Sequence, residues 1–367
     1  MTDERTAKHL AVVQYLREHA LDAVVLSRRC NFSWYTAGGR NYVGTACDVG
    51  NSHLLVTTEG ATVVTSTIEA PRLAVEDCAT DSLSVVKFPW FSLTGAGQKI
   101  TELLRRRRAA LDSPLPGLEG APLAQDFDRL RWQLCAEEIT RYRAVCTDTV
   151  AAVEAAARSA RPGQSEYDLA AAVSAELLRR RCLPWTILIA ADERAEKFRH
   201  PLPTDAKVAR YFMIVACGER GGLIANCSRL ACFGKLPADL ARRHQAAVNV
   251  DTALIAATVP GATLGAIFAQ AQAAYAAEGF PDEWRLHHQG GSCGYLPREV
   301  KAAPGEQTVV LADQAFAWNP SIAGTKSEDT ILCRTGGCEV LGASADWPTL
   351  TGRWGEVSLP RPAILEL

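Results

Sequence analysis

The chain has 367 residues, 39 Lys and Arg against 41 Asp and Glu for a formal charge of −2, and 48% hydrophobic residues. At about 150 residues per domain that length suggests two domains, and the charge offers no cationic excess to a phosphate backbone or an anionic membrane surface. No run reaches the ~18 consecutive apolar residues of a spanning helix, and the polar start Met1-Thr2-Asp3-Glu4-Arg5 leads into no apolar export segment, so the expectation is a cytoplasmic chain with neither nucleic acid nor membrane as partner.

Chain order gives the elements. Leu10, Val13 and Leu16 fall at helical spacing within Ala7 to His19, and Ala23-Val24-Val25-Leu26 reads as a buried strand. Leu54-Leu55-Val56 and Thr62-Val63-Val64 flank the polar turn Glu59-Gly60, the pattern of a hairpin. The basic run Arg105 to Arg108 reads as the solvated end of a helix. Residues 112–122 hold three prolines and two glycines and suggest an interdomain linker, giving domains 1–120 and 121–367.

The second domain opens with a long helical stretch, Ala136 to Ser159, closed by Arg161-Pro162-Gly163. Ser165-Glu166 begins another helix, through Tyr167 to Arg181. Strands are expected at Thr186 to Ala190, Tyr211 to Ala216 and Gly222 to Leu230. A second helical pair spans Ala238 to Ala256 and Leu264 to Ala277, and strands return at Val309-Val310, Ala315 to Trp318 and Thr330 to Leu332. Two helix pairs, each followed by strands, imply an α+β domain with a duplicated plan. The 12 cysteines are scattered without CxxC pairs and read as thiols, mostly small buried hydrophobes.

The ordering of polar motifs carries a resemblance. Arg161-Pro162-Gly163-Gln164-Ser165-Glu166, Arg199-His200-Pro201, Ala216-Cys217-Gly218, Asn226-Cys227-Ser228-Arg229, His287-His288-Gln289-Gly290-Gly291, Asn319-Pro320 and Glu328-Asp329 follow one another in the chain. Together they resemble the pita-bread family of aminopeptidase P, prolidase, methionine aminopeptidase and the metal-free creatinase. The resemblance extends more loosely to Leu21 to Leu26 and Asn31 to Gly38, and implies a creatinase-like α/β amino-terminal domain before a pita-bread domain with pseudo-twofold halves. It also implies a homodimer, with the segment of Trp34, Tyr35, Arg40 and Tyr42 reaching the partner's site; an aromatic core turn is the alternative.

The resemblance supplies a ligand pattern that this chain departs from. Metal-dependent members carry carboxylates at positions matched here by Ala216, Asn226 and Asn319; Glu328 and one histidine, His287 or His288, remain. Two divalent ions need about four negative charges from oxygen ligands, and even one catalytic zinc takes about three protein ligands. The expectation is therefore no metal and no cofactor unless an unplaced residue joins. Without metal-acidified water, hydrolysis needs a protein base, and His200, with an ordinary pKa near ~6.5, is the candidate.

Glu328 would orient that imidazole or bind a cationic group, while Asn226 and Asn319 would hydrogen-bond neutral amide or carbonyl groups. Arg298, with Glu299 beside it, resembles creatinase's Arg-Glu pair and would clamp a substrate carboxylate. The segment from Ala216 to Arg229 is one residue short of the family pattern, so Cys227 competes with Asn226 for one ligand position, and Cys217 or Cys227 would give a thiolate mechanism. The reading is a metal-independent hydrolase of a C–N bond, amidine or amide, in a small polar substrate. A catalytically silent peptide- or protein-binding module and a metallopeptidase with rearranged ligands are the alternatives.

Overall fold

The computed structural model describes residues 3–78 and 83–367, so Met1 and Thr2 of the polar start lie outside it. The chain forms two compact units, the first ending at Arg131 and the second running from Trp132 to Leu367.

In the first unit the elements are α1 (Asp3–Glu18), β1 (Ala23–Arg28), α2 (Arg29–Tyr35), β2 (Val49–Thr57), β3 (Gly60–Ser66), β4 (Ser84–Phe88), α3 (Gly95–Leu104), β5 (Ala109–Leu111) and β6 (Ala121–Pro122). The sheet order is β4-β3-β2-β1-β5-β6. Strand β1 is central and buried through Ala23 to Leu26, as its unbroken apolar run requires. The proline-rich stretch is not the division between units: β6 pairs with β5 at Ala110 and Leu111, and Leu123 N donates to Leu111 O at 2.8 Å. The boundary at 120 therefore moves to 131. Trp34 and Tyr35 are buried in α2, while Arg40 pairs with Asp77 at 2.9 Å and Tyr42 lies under the Arg29 guanidinium at 3.6 Å. Trp34 and Tyr35 thus sit in the core, while Arg40 is exposed and Tyr42 partly so.

The second unit begins with α4 (Ala136–Ser159) and α5 (Glu166–Arg179), then β7 (Leu183–Ala191), α6 (Glu193–Lys197), β8 (Tyr211–Arg220) and β9 (Leu223–Cys232). The second half follows the same plan with α7 (Ala238–Ala257), α8 (Leu264–Ala277), β10 (Gly290–Cys293), β11 (Val300–Lys301), β12 (Gln314–Trp318), β13 (Ser321–Ile322), β14 (Thr325–Lys326), β15 (Asp329–Arg334) and β16 (Gly337–Val340). It closes with β17 (Thr349–Trp354), β18 (Val357–Pro362) and β19 (Leu365–Glu366).

Local chemistry sets the helix starts. Ser165 Oγ accepts from Asp168 N at 3.1 Å and Asp168 Oδ2 accepts from Ser165 N at 2.7 Å, a reciprocal cap that satisfies two free amide donors. The main sheet runs β11-β10-β12-β15-β9-β8-β7, with β16 beside β15 and β19 beside β9. Helices α7 and α8 cover a cluster of Val250, Leu254, Ile267, Phe268, Phe316, Trp318 and Ile331. Burying each large apolar side chain contributes roughly 1.5–3 kcal/mol, and Phe316→Ala would cost about 3–5 kcal/mol.

Candidate functional site

His200 stands on the segment after α6, and one buried carboxylate clasps that segment. Glu166, the first residue of α5, is fully buried. Its Oε1 accepts from Ala191 N and Arg194 Nε, both at 2.8 Å, and its Oε2 from Thr204 N at 2.9 Å and Thr204 Oγ1 at 2.7 Å. Ile189 N donates to Pro201 O at 3.1 Å, so the backbone beside His200 is stitched to β7. Arg199 pairs with Glu283. The His200 ring itself is half-exposed, while its backbone is held.

His287 meets it from the other half of the unit. The two Nε2 atoms are 3.0 Å apart, and His287 Nδ1 lies 3.2 Å from Ser321 Oγ. Gln289 fixes the turn, donating to His287 O at 2.5 Å and accepting at 2.8 Å from the Tyr275 hydroxyl. The next residue must be glycine: Gly290 has φ +102°, and a Cβ there would lie 2.1 Å from Ala317 O.

His288 packs against both rings, with centroids 4.6 Å from His287 and 5.5 Å from His200. Both sequence candidates therefore belong to the cluster. Burial lowers all three histidines, His288 to about 3 and His287 further, with the Lys326 charge next in effect on His200 and His287. The rings are neutral at pH 7. His200 meets His287, and Glu328 makes no hydrogen bond to it.

The extended segment from Thr325 to Asp329, which links β14 to β15, builds the rest by alternation. Thr325, Ser327 and Asp329 point back: Thr325 Oγ1 lies 2.6 Å from His244 Nδ1, Ser327 Oγ donates to Asp251 at 2.6 Å, and Asp329 pairs with Arg229 at 2.9 Å and Arg361 at 3.0 Å. Arg229 also pairs with Glu154 and Arg361 with Asp251, all essentially buried.

Lys326 and Glu328 face forward. Glu328 Oε2 accepts from Ser228 Oγ at 2.7 Å and Oε1 from Arg298 Nη2 at 2.9 Å. Burial alone would raise this carboxyl, but Lys326 and Arg298 hold it below the usual range. Arg298 Nη1 donates to Asn226 Oδ1 at 2.8 Å, so one guanidinium bridges Asn226 and Glu328.

Lys326 is the residue that sequence reasoning missed. It is 1% exposed, and among the described residues its ammonium makes no hydrogen bond or ion pair. It senses the charges of Glu328, Arg298 and Arg199, and burial lowers its pKa. Its place two residues before Glu328 was the available signal, because that spacing shares a strand face. Asn319 follows β12 with its backbone N bonded to Gln289 O at 3.1 Å, and its buried Oδ1 has no hydrogen-bond partner among the described residues. Glu299 lies beside Arg298, against the turn at Gly294.

The cysteines need correction. The β8–β9 register pairs Ala216 with Cys227 and Cys217 with Asn226. Opposed residues share a face, so Cys217 accompanies Asn226 on the site side, donating to its Oδ1 at 3.2 Å. Ala216 and Cys227 lie on the α4 side with Arg229. Cys227 is therefore not a substrate-binding residue. Burial pushes the Cys217 thiol up to about 12 and Cys227 well above the ordinary range, so neither is a thiolate at neutral pH.

A two-metal centre does not fit these residues. One carboxylate remains, engaged by Arg298 and Ser228; Asn226 and Asn319 are neutral, Cys217 is protonated, and the guanidinium and ammonium already supply positive charge. A different donor set is present: His200, His287 and His288 offer ligand atoms within 4.8 Å of one another, a set that suits one imidazole-preferring ion.

The family model of metallopeptidase family M24 matches residues 140–337. No curated protein matches the chain. Among solved structures, the prolidase from Pyrococcus furiosus is 20% identical with TM-score 0.75, covering 90% of this chain and 99% of its own. The Xaa-Pro dipeptidase from Bacillus anthracis is 16% identical with TM-score 0.77, at 93% and 98% coverage. The N-terminal domain of the FACT complex subunit SPT16 from chickpea is 12% identical with TM-score 0.68, at 92% and 95%. These likenesses show the α+β pita-bread fold over nearly the whole chain.

Proposed function

The chain belongs to metallopeptidase family M24, a family of hydrolases of C–N bonds, and within it we propose metal-independent hydrolysis of an amide or amidine in a small polar substrate, with His200 as the base. The observation that carries this reading is the 3.0 Å contact between His200 and His287, set beside a guanidinium bridging Asn226 and Glu328.

With His287 Nδ1–H donating to Ser321 Oγ, His287 Nε2 accepts from His200 Nε2–H, and the Nδ1 lone pair of His200 is left for water. His200 takes the proton of the attacking water and returns it to the leaving nitrogen, work worth roughly 10² to 10⁴ in rate. Lys326 and Arg298 offset negative charge developing on the attacked group, in a setting where fixed charges act more strongly than in water. Glu328 holds Arg298 in place, and Asn319 offers an unpartnered amide oxygen to a substrate N–H. The same reading takes the chain as a cytoplasmic homodimer acting on a small molecule; sedimentation of the purified protein tests the dimer.

One observation favours a second reading. Three neutral imidazoles at mutual reach are a donor set for a single ion, which would supply acidified water in place of a protein base. Against it stands the local charge: Arg298 and Lys326 outweigh Glu328, and neutral rings bring no compensation for a dication.

The test is turnover of a panel of amidines, cyclic amidines and short amides by the wild type and by His200→Ala. Turnover by the wild type that collapses in the variant supports the base assignment. Turnover that survives the substitution contradicts it, and a wild type inert on every compound points to a silent binding module.

A further inference from the structure

Outside the histidine site, the hairpin of β15 and β16 sets two thiols side by side. We propose that Cys333 and Cys338 are a redox pair, a modification site that closes to a disulfide with a peroxide-class oxidant and reopens with thiol reductants. The two residues are direct cross-strand partners. Opposed residues of an antiparallel pair have Cα atoms about 4.5–5.5 Å apart, inside the roughly 4.4–6.8 Å span that a disulfide bridges. Both sulfurs reach one acceptor: Cys338 Sγ lies 3.2 Å and Cys333 Sγ 3.6 Å from the Thr258 carbonyl.

Both are free thiols, Cys333 buried and Cys338 partly open to solvent, so an oxidant reaches the pair from the Cys338 side. The chemistry balances: one thiol attacks the peroxide oxygen, giving a sulfenic acid and releasing water. The second sulfur attacks the sulfenic sulfur, forms the S–S bond and releases a second water.

The environment makes the bond reversible. Thr258 is fully buried, and its carbonyl accepts from both S–H groups; the disulfide has neither donor, so oxidation leaves that carbonyl short of partners. Disulfides disfavoured in this way have higher potentials and are the easily reduced ones. Thr258 also accepts from the Trp318 indole at 2.9 Å, and Trp318 precedes Asn319 in the chain, so oxidation bears on the strand that ends in the site.

Arg334 separates the two cysteines, which makes the test specific. Trypsin cuts after Lys326, Arg334 and Arg353, giving peptides 327–334 and 335–353 with one cysteine each. After treatment of the whole protein with hydrogen peroxide, alkylation and non-reducing digestion, the expected result is one linked species. Dithiothreitol should split it, and it should be missing from Cys338→Ser. Recovery of two separate wild-type peptides, alkylated or carrying sulfinic acid, would overturn the proposal.

Discussion

The two faces of the segment from Thr325 to Asp329 differ in how their polar groups are matched. On the back, Asp251, Arg361, Asp329, Arg229 and Glu154 form a buried chain of alternating charges in which each carboxylate meets a guanidinium. On the front, Asn319 Oδ1, His288 Nδ1 and Arg298 Nε are buried with no hydrogen-bond partner among the described residues; on the back Arg361 Nη2 also lacks one, but it lies 3.0 Å from an Asp329 carboxylate oxygen. Burying a polar group without a partner costs about 1–3 kcal/mol, so the front face would gain most from a ligand that supplies the missing partners. The back face holds the segment; in the proposed reading, substrate meets the front.

That contrast can be broken from either side. The largest expected effect is on the front: His200→Ala lowers turnover by roughly 10² to 10⁴ with little change in melting temperature, read by steady-state kinetics beside a thermal scan. On the back, Arg361→Met leaves Asp251 without a guanidinium and Asp329 with Arg229 alone, and should destabilise the fold by about 3–5 kcal/mol, read by urea unfolding.

Next comes the pH profile. His200 is depressed below its ordinary 6.5 by burial first and then by the Lys326 charge, so the free base persists as pH falls through neutrality and kcat/KM should decline only below that value. Lys326→Met removes a charge that disfavours protonation, raises the His200 pKa and moves the acidic limb to higher pH. An unmoved limb would mean that Lys326 does not act on His200. The smallest effect belongs to Cys227→Ser, which should leave kcat/KM unchanged because that side chain faces α4.

Much of the scaffold was legible in the sequence, because capping and apolar spacing are local signals. Ala136 to Ser159 and Leu264 to Ala277 are helices with the expected bounds, and Ser165 caps the next helix as its position suggested. The unit boundary was misplaced because prolines and glycines mark turns within a sheet edge as readily as linkers.

The site was legible only in part. The ordered motifs singled out His200, His287, His288, Asn226, Arg298, Asn319 and Glu328, but a one-residue gap changes which side chains share a face. Cross-strand pairing, fixed only in three dimensions, decided between Asn226 and Cys227. The contact of His200 with His287, 87 residues apart, follows from no spacing rule. Lys326 reads as an ordinary solvated lysine until the burial of its strand is known.

The central claim is that histidine chemistry replaces metal chemistry here. It is tested most directly by metal analysis of protein purified without chelator, joined to turnover before and after chelator treatment. The account predicts metal far below one equivalent and undiminished turnover; one equivalent of zinc, manganese or cobalt, with activity lost on chelation and restored by the ion, would contradict it.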